Sequence, residues 1–387
     1  APVSTFKHAG EDGDAREWAF WEGKKHSAIY RNAKIESKIS NTVYNVALLD
    51  EKGNIEKTYE KAKVVHAKPL AKGDAIIAIN RPGAAQPEFR GIGNGCTFTD
   101  LVAPFFVFIV GLCIPLSKQR RGMAWWKHVG TRTLLLILAG VIYISLILKT
   151  SYWWGILQAI GVSYFMGAAF MRLPAKGRWV AIAAIAAFHA FMSWKFNWWL
   201  ELGDKSRPFL TIGNLSGDPL RPLTVHCTPW ASISYGLCTI AGTLLGDAIV
   251  TRDRRKIIRQ SLIVGIVFSA AGYLLHLYQA PMNKDYVSPS YSIFTSGIGA
   301  LTFLLFYAII DIGGFKAWAF PLNVFGANAL LAYFMQPVVR IFIRALGFLE
   351  FFGNQAGWSG VYAGLLWTAL LWCVVLWCNK KEIYWKL

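Results

Sequence analysis

A few polar side chains stand inside long apolar stretches of this sequence, and any chemistry would fall to them. Asp100 opens an apolar segment in Thr97-Phe98-Thr99-Asp100-Leu101-Val102. A carboxylate there can orient a reacting group, or it can simply accept the free N–H groups at a helix start. Gln158 lies in mid-segment in Gly155-Ile156-Leu157-Gln158-Ala159, and Asn328 in Phe325-Gly326-Ala327-Asn328-Ala329-Leu330. An amide facing hydrocarbon is costly, so both must face other helices or a cavity, where hydrogen bonding between helices alone would occupy them. Asn283-Lys284 precedes Ser288-Pro289-Ser290-Tyr291 at the mouth of another apolar segment. A cation with hydroxyls at a helix start suits a carbonyl, phosphate or sugar ligand; a solvated loop charge is the plain alternative. His189 and His276 offer imidazole for proton transfer or axial ligation, although a lone histidine without a partner pattern reads first as a packing residue.

The elements that must position these groups follow from composition. The chain has 387 residues, 55% of them hydrophobic and 16% charged, with a net charge of +18. Soluble domains average roughly 25% charged residues, which excludes an ordinary soluble enzyme. Residues 1 to 90 carry 15 Lys and Arg against 12 Asp and Glu, so most of the positive charge belongs to the apolar remainder. There it sits in short runs between apolar stretches, such as Lys118-Gln119-Arg120-Arg121 and Arg252-Asp253-Arg254-Arg255-Lys256. Membrane proteins mark cytoplasmic loops in this way, and the pattern argues against a nucleic-acid partner. None of the six cysteines lies in the polar N-terminal region and none forms a close pair, so neither a disulfide framework nor a metal site is supported.

Residues 1–90 read as a small polar β-rich domain outside the bilayer. Thr42 to Leu49 and Ile55 to Tyr59 flank the turn signal Asp50-Glu51-Lys52-Gly53-Asn54 and predict a hairpin, with a further short run at Lys63 to His66. Residues 91–387 form the membrane domain, with nine apolar segments at about 98–117, 132–149, 153–171, 179–200, 230–250, 260–278, 291–311, 321–346 and 357–378. Pro337 and Arg340 interrupt the eighth. The fold class is therefore an all-α polytopic membrane protein of about nine helices carrying a β-rich domain. Alternate loops place 17 basic residues on one side and 8 on the other. The positive-inside rule then puts the C-terminus in the cytoplasm and the N-terminal domain outside. Trp125-Trp126, in a cytoplasmic loop on this reading, Trp153-Trp154 and Trp198-Trp199 read as interfacial anchors, and Gly242-x-x-x-Gly246 as a site of close helix packing.

The run Asn94-Gly95-Cys96-Thr97-Phe98-Thr99-Asp100-Leu101-Val102-Ala103-Pro104-Phe105-Phe106 resembles the transmembrane acyltransferase family of heparan-α-glucosaminide N-acetyltransferase and its bacterial relatives. The likeness continues in order through Gly155-Ile156-Leu157-Gln158, Asn283-Lys284 with Ser290-Tyr291, Gly326-Ala327-Asn328-Ala329-Leu330 and the tail Lys380-Lys381-Glu382-Ile383-Tyr384-Trp385. It thus covers about residues 94–387. The resemblance implies acetyl transfer from cytoplasmic acetyl-CoA to an amino sugar on the far side, with Asn94 and Asp100 as catalytic candidates. It also implies Gln158, Asn283, Lys284, Ser290, Tyr291 and Asn328 as binding candidates.

The same comparison marks what is altered. The family's histidine, its general base or acetyl carrier, sits in a His-Ala-x-Trp-Asn-Gly stretch that here reads Arg90-Gly91-Ile92-Gly93-Asn94-Gly95. A guanidinium stays protonated and serves neither role. The family's Leu-Gln-Arg is Leu157-Gln158-Ala159, and its Asp-Pro-Glu-Gly is Thr228-Pro229-Trp230-Ala231. Its apolar helix before the histidine segment has no counterpart in residues 69–88, which cannot span. These departures imply a degenerate acyltransferase fold kept as a structural or accessory subunit of a membrane assembly, in contact with lipids and other membrane subunits. The alternative is an active enzyme with its base supplied by His66, His226 or another subunit. A pigment- or haem-binding role for His189 or His276 is the third reading.

Overall fold

In the computed structural model the described residues are 29–40, 43–50, 53–66, 70–73, 75–80, 87–91, 96–117, 122–143, 154–196, 229–278, 282–284, 287–347 and 357–385. They pack as two compact units, divided between Leu304 and Leu305.

Alternation of apolar and polar residues builds the first element of unit 1, a five-stranded barrel. Its strands are β1 (Ile29–Lys38), β2 (Val43–Leu49), β3 (Ile55–His66), β4 (Ala75–Asn80) and β5 (Glu88–Gly91). The barrel closes in the order β1-β2-β3-β5-β4, antiparallel throughout except for the parallel pairing of β3 with β5. That is the five-stranded Greek-key arrangement of OB-type barrels. Ile35, Tyr44, Val46, Leu48, Val64 and Ile76 fill its interior. The expected hairpin is present: Asp50 Oδ1 accepts the Asn54 N–H at 2.8 Å, and Gly53 takes the positive φ (87°) that the turn requires. The run at Lys63–His66 is not separate but continues β3, past a bulge at which Lys61 adopts φ 51°.

The helices of unit 1 are α1 (Val102–Cys113), α2 (Gly122–Ile142), α3 (Ile156–Phe170), α4 (Ala175–Phe196), α5 (Ala231–Val250), α6 (Arg254–Tyr278) and α7 (Pro289–Tyr307). Short 3-10 turns at Phe98–Leu101 and Ile114–Leu116 extend α1 at either end. The central helix is α5, packed on α1, α3, α4 and α6. Glycines bring α1 and α5 into backbone contact: a Cβ on Gly111 would stand 2.1 Å from the Thr239 carbonyl oxygen, and one on Gly242 2.2 Å from that of Phe108. Gly246 meets the Leu112 carbonyl in the same way, at 2.4 Å. Gly242-x-x-x-Gly246 is thus a close-packing seam.

Unit 2 contains α8 (Phe320–Ala327), α9 (Ala329–Ala345) and α10 (Gly357–Lys380). The interruption expected at Pro337 and Arg340 lies elsewhere. The helix runs on through Pro337, and the break falls at Asn328 (φ −140°, ψ 45°), where α8 and α9 meet at 77°. Residues 321–346 are therefore not one straight span. Trp372 Nε1 donates to the Pro321 carbonyl and Asn379 Nδ2 to that of Val324, so α8 runs alongside α10 in the same direction before the chain turns.

Each expected apolar segment meets a described helix, and among the described residues length and hydropathy single out five spans, or six with one bent pair. Phe98–Leu116, Ala231–Val250, Arg254–Tyr278, Pro289–Ile312 and Trp358–Lys380 are long and apolar enough, and the bent α8–α9 pair is a sixth when taken as one. The described part of α3 has 15 residues, and the described parts of α2 and α4 are less apolar on average, with Lys127 and Arg132 in α2 and Lys176, Arg178 and Lys195 in α4. The chain is an integral multi-pass membrane protein.

Candidate functional site

Thr97 and Asp100 organise the start of α1. Asp100 Oδ2 accepts both the backbone N–H and the hydroxyl of Thr97 at 2.8 Å, a reciprocal cap across one turn. Its other oxygen, Oδ1, pairs with Lys284 Nζ at 3.6 Å, with the carboxylate only 7% exposed. Tyr291, fully buried, donates its hydroxyl to the Asp100 carbonyl at 2.5 Å. The loop before α7 thus locks onto the start of α1 through a side chain and a backbone group at once.

That loop is itself held by hydroxyls. Ser288 Oγ accepts the Asn283 N–H at 3.0 Å, lies 3.0 Å from Ser290 Oγ, and the Ser288 N–H returns to the Asn283 carbonyl. Asn283, Ser288, Ser290 and Tyr291 are all buried. Deeper along α7, Ser292 Oγ meets Ser234 Oγ of α5 at 2.9 Å, and its carbonyl accepts the Cys238 thiol. The structure thus gathers Asp100, Asn283, Lys284, Ser290 and Tyr291 into one cluster.

Gln158 stands elsewhere. It lies in the first turn of α3 rather than mid-helix, its Oε1 accepting the Gly155 N–H at 3.1 Å. Gly140 of α2 leaves the room it fills, since a Cβ there would sit 2.2 Å from Gln158 Oε1. Nearby, Trp154 Nε1 donates to Ser232 Oγ, while Ser163 Oγ donates to the Ala159 and Ser232 carbonyls.

Asn328 belongs to unit 2 and forms a clasp. Its Nδ2 donates to Asn379 Oδ1 (3.1 Å) and to the Ile383 carbonyl (2.7 Å), while Oδ1 accepts the Trp385 N–H (3.1 Å). Arg90 lies in β5, paired in register with Ile77 of β4 and Val65 of β3. Asn94, His226 and Thr228 lie outside the described residues.

His189 is buried with Nε2 3.2 Å from the Trp230 carbonyl and Nδ1 3.5 Å from Ser193 Oγ, which engages both ring nitrogens within the bundle. His276 Nδ1 accepts the Met282 N–H at 2.9 Å. These contacts favour packing roles over ligation. Sequence reasoning missed the Ser232, Ser234 and Ser292 seam and the Arg178–Asp247 ion pair with its Thr243 hydrogen bond. The polar residues inside α5 were the available signal. Trp125, expected as an anchor in a loop, lies instead on α2, packed among Ile114, Val129, Tyr164 and Ala168.

Fold and site define a multi-pass membrane protein in which Asp100, Asn283, Lys284, Ser290 and Tyr291 converge where the start of α1 meets the mouth of α7. The family described as heparan-alpha-glucosaminide N-acetyltransferase, catalytic, matches residues 74–257, from the start of β4 into α6. Human heparan-alpha-glucosaminide N-acetyltransferase is 25% identical in an alignment of 386 residues that covers 81% of this chain and 58% of the relative. The chain thus spans little more than half the length of that enzyme. Together the two matches support a family like that of heparan-α-glucosaminide N-acetyltransferase and bear out the resemblance seen in the sequence.

Proposed function

We propose that this chain is a catalytically silent relative of the transmembrane acetyltransferases, serving as a structural subunit of a larger membrane assembly. The observation that carries the reading is the closure of the candidate site on itself: Asp100 is engaged by Thr97 and Lys284, and Tyr291 by the Asp100 carbonyl. Acyl transfer to an amine needs a group free to take a proton, and Asp100 is spent on architecture. Arg90, aligned with the family's histidine, supplies no base either. In this reading the barrel faces outward as a docking module, the C-terminus lies in the cytoplasm, and the partners are lipids and other membrane subunits, not nucleic acid.

The alternative is an active enzyme moving acetyl from cytoplasmic acetyl-CoA to an extracytoplasmic amino sugar. The buried hydroxyls of Ser288 and Ser290 beside Lys284 favour it, because such a group suits a sugar. Incubating the purified full chain, and native membranes, with radiolabelled acetyl-CoA and glucosamine separates the two. The structural reading expects no label on chain or acceptor, and co-migration with other subunits on a native gel. A lone chain that acetylates the sugar overturns it.

A further inference from the structure

From Val267 to Tyr278, α6 faces α4 across a cavity of about 780 Å³ that reaches Pro289 and Ile293 of α7. Trp179 of α4 and Phe268 of α6 meet edge to face at one end of it, with ring centroids 4.6 Å apart. The side chains that line it are apolar apart from the indole of Trp179 and the hydroxyl of Tyr278, the final residue of α6. Phe191 and Leu274, which also line it, are 52% and 53% exposed. Since α6 is long and apolar enough to span, the cavity opens sideways to hydrocarbon rather than to water.

Its dimensions select the occupant. The wall from Val267 to Tyr278 is about 17 Å long at 1.5 Å per residue, little more than half the thickness of a bilayer core. The Trp179–Phe268 contact closes one end, so a spanning helix of a partner does not fit along it. The volume of about 780 Å³ is roughly five times the 150 Å³ that holds a benzene ring, which is room for a fused-ring skeleton. The shape agrees. Ala183, Ala186, Ala187 and Ala190 recur at i, i+3, i+4 and i+7 and give α4 a smooth wall of methyl groups, opposite the branched Leu274 and Leu275 of α6.

A flexible acyl chain that leaves the bilayer for this slot gains no hydrophobic free energy, because lipid tails are as apolar as its walls. It also loses torsional freedom. A rigid ring system has none to lose, and it makes the dispersion contacts that an unfilled slot forfeits. Tyr278, 83% exposed at the end of α6, brings a hydroxyl to the place where the polar end of such a ligand would emerge.

We propose that the slot between α4 and α6 binds one rigid polycyclic lipid with a terminal hydroxyl, a sterol or a hopanoid. Its rings lie on the alanine face of α4 and its hydroxyl lies beside Tyr278. The site is independent of whether the chain retains catalysis.

The experiment takes the full chain in dodecyl maltoside, stripped of lipid, and measures thermal unfolding with added cholesterol, diplopterol or phosphatidylcholine. A photoreactive cholesterol, followed by peptide mass spectrometry, maps the site. At least one of the two polycyclic lipids should raise the midpoint well above phosphatidylcholine, and which one does so names the class. The crosslinks should fall within residues 179–191 or 267–278. A187F, which fills the slot from an exposed position, should weaken binding about tenfold through overpacking. A184F, equally exposed but outside the slot, should behave as wild type. Y278F should weaken binding about fivefold, as for the loss of one neutral hydrogen bond. A gain no larger than that from phosphatidylcholine for both polycyclic lipids, crosslinks confined to other helices, or an unchanged response in A187F would overturn the proposal. If A187F does not fold, the additions to the wild type and the crosslink map decide alone.

Discussion

Lys284 Nζ stands 3.6 Å from Asp100 Oδ1, an ion pair that ties the loop before α7 to the start of α1. The Tyr291 hydroxyl binds the carbonyl of the same aspartate, so the two segments are held at a charge and at a backbone oxygen together. Groups that would receive a ligand on the strength of the sequence are in the structure each other's ligands.

If the pair is architectural, its removal costs stability. D100A loses both the cap and the pair and should destabilise unit 1 by about 1–2 kcal/mol. K284M should cost under about 1 kcal/mol, because the lysine is one-third exposed and solvent screens the pair. The double variant should lose less than the sum of the two, which denaturant unfolding in detergent measures. Additive losses would show that the pair carries no coupling.

The α1–α5 seam makes a sharper prediction. G242A and G111A place a methyl group against backbone that cannot swing aside, at 2.2 and 2.1 Å. Each should cost about 3 kcal/mol, the upper end for overpacking. Gly130 of α2 has nothing within 4 Å of its Cβ position, so G130A should stabilise the helix by about 0.5–1 kcal/mol. Thermal midpoints moving in opposite directions are the expected readout.

What was legible in the sequence was local or periodic. Thr97 and Asp100 lie one helical turn apart, Asp50 and Asn54 close a turn of their own, and Gly242 and Gly246 repeat on one helix face. The bend at Asn328 was not legible. Pro337 is the stronger helix breaker, yet the chain turns where an asparagine finds three partners brought by a distant tail. Trp125 looked interfacial because a tryptophan pair carries the same signal whether one member faces lipid or core; α3 settles the matter by packing Tyr164 and Ala168 against it. The closure of Asp100 by Lys284 depends on two segments meeting in space, which no spacing rule encodes.

Arg178 of α4 and Asp247 of α5 were likewise too far apart in sequence to pair by inspection. Arg178 is 3% exposed and also donates to Thr243 Oγ1 at 2.9 Å. D247A leaves that cation buried with one neutral acceptor. Because the Asp247 side chain is 45% exposed, water offsets part of the loss, and about 2 kcal/mol is expected, below the 3–5 kcal/mol of fully buried pairs. R178M/D247L, which removes both charges, should recover most of it in the same unfolding assay.

The Asn328 clasp gives the last prediction, and it separates a structural amide from a ligand-binding one. Its Nδ2 bonds Asn379 and the Ile383 carbonyl, and its Oδ1 holds the Trp385 N–H, so the side chain pins the residues that follow α10. N328A removes all three bonds and should cost unit 2 about 1–3 kcal/mol. N328D keeps the acceptor for Trp385 but sets a buried carboxylate against two acceptors, Asn379 Oδ1 and the Ile383 carbonyl, so its loss should equal or exceed that of N328A. The tail would loosen in the same order, and trypsin would cut more rapidly after Lys380 and Lys381, which adjoin the clasp. A clasp also predicts that N379A behaves like N328A, since Asn379 Nδ2 holds the Val324 carbonyl from the opposite side. An amide kept for a ligand would leave cleavage unchanged in every variant, and that result would return Asn328 to the list of binding residues.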